Sequence, residues 1–146
     1  MRAAEMPLPS HRHIPGQNDR PDGALFAAVK AETGSAWPYG IRLFNAGFYW
    51  EAHDVLEPVW LAARPNSRER HMVQAVIHLA NGLLKEAMGR PNARRRLARL
   101  ARGRILEAFP DGRGRLMGID GGNLLTAADL LANGDSGITL KLEYEI

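Results

Sequence analysis

His53 and Glu57 stand four residues apart in the stretch Asn45 to Trp60, N-A-G-F-Y-W-E-A-H-D-V-L-E-P-V-W. On a helix this spacing puts an imidazole one turn from a carboxylate, with the two side chains in reach of each other. Histidine is the side chain whose ordinary titration falls near neutral pH. Beside a carboxylate it suits general acid/base catalysis, or half of a metal site. Trp60 follows at the next turn and Trp50 precedes His53 by three, so two indoles are expected to flank the pair. A hydrogen-bonded pair that only orients helices uses the same residues, and spacing alone leaves both readings open.

A helix must position these groups. At about 100° per residue, Ala52, Val55, Leu56, Val59 and Ala63 fall on one side and are expected to face the core. His53, Glu57 and Trp60 form the neighbouring stripe. The helix is expected from Tyr49 to about Ala63, entered through a tight junction at Asn45–Gly47 where Gly47 can take positive φ. Pro58 lies within it and is expected to kink it, releasing the Asp54 carbonyl.

The whole stretch resembles the signature of the DUF309 family, small all-helical proteins with no assigned activity. Asn45, Gly47, Glu51, His53, Asp54, Glu57 and Trp60 stand in register with that signature. Met72 to Ala80 resembles the family's second helix, with Gln74 at its polar position and Ala75 where the family usually carries Gly. His13-Ile14-Pro15-Gly16 through Arg20-Pro21 resembles the opening of many members. The resemblance implies an all-α fold and implies no reaction.

The next helix is expected to start at a capping box of Asn66 and Glu69 and to end at Gly89. Met72, Val73, Val76, Leu79, Ala80, Leu83 and Ala87 form its core stripe, and His71, Gln74, His78, Asn81 and Lys85 the opposite one. A plainly solvated face usually carries more charge than this. The polar stripe is therefore expected to meet another helix, a subunit or a ligand, or to be an exposed face of unusual composition. If it faces the motif helix, His53, Glu57 and His78 are candidate ligands for one divalent metal with a position left for water.

Pro91 opens a further helix, Asn92 to about Phe109, with Leu97, Leu100, Ala101, Ile105 and Ala108 as its buried side. Nine Arg fall between Arg90 and Arg115 against Glu107 and Asp111, a local charge of +7 in a chain of net +3. Arg94, Arg95, Arg99 and Arg102 are candidates to bind phosphates of a nucleic acid or nucleotide. No aromatic interleaving accompanies them, and a solvated or salt-bridged face reads the same sequence.

The remaining elements are simpler. Residues 1–22, rich in Pro, Gly, His and Arg, are expected to form an extended arm in which His11 and His13 are solvated. A first helix is expected over Gly23–Thr33, with Leu25, Phe26 and Val29 buried. A connector at Gly34–Pro38 leads to a short helix from Pro38 to Ala46. Leu116–Gly122 reads as an irregular lead to a last helix over Asn123–Ala132. Ile138 to Ile146 alternates with period two, which predicts an extended segment lying along the bundle, pairing with the arm, or joining another subunit.

A chain of 146 residues suits one core. The expected architecture is an all-α bundle of about five helices at 23–135, with the arm before it and a tail at 136–146. No run of about 18 apolar residues predicts a membrane span. The N-terminal segment lacks the apolar region of a secretory signal. Without cysteine, disulfide and thiolate chemistry are excluded. The expected location is cytoplasmic. Three functions compete. In the first, His53 and Glu57 perform acid/base or metal-assisted hydrolysis, with Asn45, Trp50, Asp54, Trp60 and Gln74 around a pocket. The others are a binding module for an anionic partner and a structural domain that forms a homo-oligomer.

Overall fold

The computed structural model describes residues 6–18 and 33–145. These contain five helices: α1 (Thr33–Asn45), α2 (Tyr49–Ala62), α3 (Arg68–Ala87), α4 (Pro91–Ala108) and α5 (Gly121–Asn133). A two-stranded hairpin, β1 (Arg115–Leu116) and β2 (Ile119–Asp120), precedes α5. The expected all-α bundle is thus the observed fold. The helix expected at Gly23–Thr33 lies, apart from Thr33, outside the described residues.

Helix α1 begins earlier than its proline suggested. Gly34–Pro38 is helical, and Pro38 sits inside α1 instead of opening it. A proline there forfeits one amide bond, toward the carbonyl of the first turn. Burial of Ala36 and Trp37 outweighs that loss, and the Trp37 indole N–H donates to the Met117 carbonyl at 2.9 Å. The α1–α2 junction follows the expected chemistry. Gly47 takes φ +86°, Gly47 N bonds Phe44 O and Phe48 N bonds Leu43 O, which is the paired bonding of a Schellman stop. Helix α1 approaches α2 so closely that a Cβ at Gly40 would collide with the Leu56 side chain.

Helix α3 is capped one residue later than expected. Ser67, not Asn66, is the N-cap, its Oγ accepting from Arg70 N at 3.1 Å. Asn66 instead takes φ +60° in the turn, a conformation asparagine tolerates. Gly89 ends α3 as expected, with φ +73° and bonds from Gly89 N to Glu86 O and Arg90 N to Lys85 O. Pro91 then opens α4. The lead to α5 is ordered: Met117 and Gly118, both at positive φ, join the two short strands, and Asp120 caps α5 by accepting from Asn123 N at 2.9 Å.

Each helix packs on the next in sequence, and α3 also touches α5. Met72, Val73, Val76, Leu79 and Ala80 of α3 are fully buried, as their spacing predicts. Two expectations fail at the ends of stripes: Ala87 and Leu100 are exposed, Leu100 at 46%. On α4 the buried set is Arg94, Leu97, Ala98, Ala101, Ile105 and Ala108.

The segments outside the helices pack on the bundle. The tail is extended, with Leu140 and Leu142 buried and Lys141 and Glu143 exposed, as alternation predicts. It lies along the bundle: Asn45 bonds both main-chain groups of Leu142, and Glu145 N reaches Gly118 O. The arm is held as well. The Tyr39 hydroxyl donates to Pro7 O, Arg42 to Met6 O, and Arg12 to Ala46 O. His13, expected in solvent, is buried, whereas His11 is exposed.

Candidate functional site

Two neighbouring stripes of sequence meet between α2 and α3. His53, Glu57 and Trp60 on α2 face Gln74, His78 and Asn81 on α3 across a cavity of about 200 Å³, with Ile77 at its apolar side. Their positions follow from the helical period. Ala52, Val55 and Leu56 bury the core side of α2, and Val73, Val76 and Ala80 that of α3, so the adjacent stripes turn toward each other at the rim.

His53 Nε2 lies 3.5 Å from Glu57 Oε2, and the two side chains are 32% and 51% exposed. A pair this wet contributes little to stability and stays reachable from solvent. Trp60 is more enclosed. The Arg70 guanidinium sits 4.5 Å over its ring, and its indole nitrogen is buried with no hydrogen-bond partner. His78 Nδ1 is likewise buried and unpartnered. Burial, and secondarily the charge of Arg104, push the His78 imidazole below its ordinary value, so it stays neutral at pH 7. A buried donor or acceptor without a partner costs about 1–3 kcal/mol unless water or a ligand completes it.

The structure therefore brings together His53, Glu57, Trp60, Gln74 and His78, and parts them from three other expected site residues. Trp50 turns to the arm, its ring 4.9 Å from His13 in an edge-on contact. Asn45 holds the tail, with Nδ2 at 2.8 Å from Leu142 O and Oδ1 at 2.7 Å from Leu142 N. Asp54 does not line the cavity. The proposed metal set is not assembled either. His53, Glu57 and His78 share the cavity, but among the described residues no three His, Asp or Glu side chains are arranged to hold a metal ion.

Of the anion-binding candidates, Arg94 is withdrawn into the protein. It is 1% exposed, donates to Gly134 O at 2.9 Å and Asp135 O at 3.0 Å, and faces Glu86 Oε2 at 3.1 Å. Its spacing three, four and seven residues before Leu97, Ala98 and Ala101 carries the signal of a core position. Arg95 bonds Asn92 Oδ1, Arg102 faces Asp129 at 3.3 Å, and Arg99 is exposed.

Glu51 was not singled out as a site residue, yet it is fully buried. It sits four before Val55, on the core side of α2, so its spacing marked it. Its Oε2 accepts the His13 amide at 2.8 Å, and its Oε1 has no partner. Burial raises its carboxyl above the ordinary value, against the lowering effect of the His13 N–H.

The helices that build this cavity coincide with a known family. Residues 37–97 match the family described as "Domain of unknown function (DUF309)". This segment, which is under half of the chain, is similar to the DUF309 family. The matched segment runs from Trp37 to Leu97, so it takes in all of α2 and α3 and every residue that lines the cavity. No curated protein matches the chain. No helix among the described residues is long and apolar enough to cross a membrane.

Proposed function

We propose that the α2–α3 cavity binds a small polar substrate and that His53, oriented by Glu57, acts there as a general base toward water. The observation that carries this reading is the pair of unpartnered buried groups, Trp60 Nε1 and His78 Nδ1, on residues that line the same cavity as the His53–Glu57 pair. An indole N–H is a donor only, so it suits a substrate oxygen on which charge develops. A neutral imidazole can donate or accept through its remaining nitrogen. Gln74 and Asn81 add amide groups that match a neutral polar body. The chemistry is acid/base hydrolysis without a metal. Activated-ester hydrolysis tests it. Release of p-nitrophenolate from p-nitrophenyl acetate is expected above the buffer rate, and His53→Gln is expected to abolish the excess. Equal release by wild type and His53→Gln removes the proposal.

A second reading rests on Arg96 and Arg99, both exposed on α4 in the arginine-rich stretch. An anionic partner such as single-stranded RNA could dock there through phosphate contacts, with affinity falling steeply as salt rises. Affinity that ignores salt, or survives Arg96→Ala with Arg99→Ala, rules this reading out.

A further inference from the structure

A second cavity, unrelated to the His53 pair, lies where the arm, the α1–α2 junction, the last turn of α3 and the C-terminal tail meet. It encloses about 510 Å³, within the roughly 300–1,000 Å³ of ordinary ligand sites. Four separate pieces of chain build it, and each is tied down. Arg12 caps the end of α1 through Ala46 O at 2.9 Å, Gln17 reaches Ala87 O at 3.2 Å, and Glu86 Oε1 accepts Gly137 N at 3.1 Å. The cavity is therefore preformed.

Its lining is divided by chemistry. Leu83, Leu84, Ile138 and Leu140 give it an aliphatic wall. Arg12 and Lys141, both exposed, give it two cations. Glu86 is the one acidic residue in the lining, and its charge is answered by Arg94 at 3.1 Å and by the Gly137 amide. The field of Arg12 reaches the cavity's phenol, since its guanidinium counters the upward push of burial on Tyr49. Arg12 spends one nitrogen on Ala46 O, and a guanidinium has further N–H donors to offer. We infer that this cavity binds a small amphipathic carboxylate, its aliphatic body against the leucine wall and its anionic head between Arg12 and Lys141.

Octanoate and octanol, which share a tail and differ in charge, are the probes. Titrations into the full chain would be followed by NMR at the amides of Gly47, Gly137 and Thr139. Octanoate is expected to shift these resonances saturably, and octanol at least about tenfold more weakly, as for the loss of a charge-assisted contact. Lys141→Glu changes an exposed side chain and is expected to weaken octanoate by about the same factor. Ala87→Trp, also at an exposed position, is expected to obstruct the cavity and remove saturable binding. Unchanged melting temperature in both variants checks that the fold persists. Octanoate and octanol binding alike, Lys141→Glu binding as wild type does, or shifts that never saturate would each overturn the assignment.

Discussion

Asn45 and Leu142, ninety-seven residues apart, are joined by two hydrogen bonds that use both ends of one amide side chain. The carboxamide of Asn45 mimics a main-chain peptide and pairs with the tail as a neighbouring strand would. This ties the main chain of Leu142 in the extended segment to the end of α1 without a second strand. Asn45→Ala is expected to lose about 1–3 kcal/mol, because both Leu142 groups are left without these partners. Thermal melting should fall by several degrees, and hydrogen exchange at Leu142 should accelerate. An unchanged exchange rate at Leu142 would show that the clamp is idle.

Glu51 gives a pH dependence whose sign is fixed. Its folded carboxyl titrates above the ordinary 4.5, so its contribution to stability is full below that value and is lost as pH rises through the folded one. Glu51→Gln keeps an oxygen for the His13 amide and removes the buried charge. The variant is expected to gain stability relative to wild type as pH rises above 4.5. Melting curves at pH 4.5 and at neutral pH check it, and parallel curves would contradict it.

His78 acts in the opposite direction. Its folded imidazole titrates below the ordinary 6.5, so the unfolded chain takes up the proton first as pH falls. Stability that depends on neutral His78 is present above 6.5 and drains away below it. His78→Asn is expected to reduce the acid loss between pH 6.5 and pH 5, which urea unfolding at the two pH values would measure. An identical acid loss in wild type and His78→Asn would contradict this origin.

Arg94 and Arg99 separate a structural arginine from a surface one. Arg94→Leu orphans the carbonyls of Gly134 and Asp135 and leaves Glu86 facing no cation, and is expected to cost about 3–5 kcal/mol. Arg99→Ala, at an exposed position, should stay within about 0.5 kcal/mol of wild type. Denaturant midpoints compare the two directly, and equal losses would contradict the burial of Arg94.

Much of this was legible in the chain. The limits of α2, the Gly47 and Gly89 stops and the Pro91 start follow from spacing and turn chemistry, whereas spacing left open whether the His78 stripe faces His53. What spacing hid has physical causes. Pro38 and Asn66 carry strong local signals, but buried Trp37 and the hydroxyl of Ser67 supply more. Residue type concealed Glu51 and Arg94, since both occupy core spacings with charged side chains. His13 could not be placed, because its burial depends on a partner thirty-eight residues away.

The pH–rate profile of p-nitrophenyl acetate hydrolysis puts the most direct question to the α2–α3 cavity. Wild type is expected to run above the buffer rate across the profile, and His78→Asn to keep that shape at a lower rate. His53→Gln should lie flat at the buffer rate while melting within a few degrees of wild type, because its half-exposed pair with Glu57 contributes about 0–1 kcal/mol. A His53→Gln profile that overlays wild type would contradict the account.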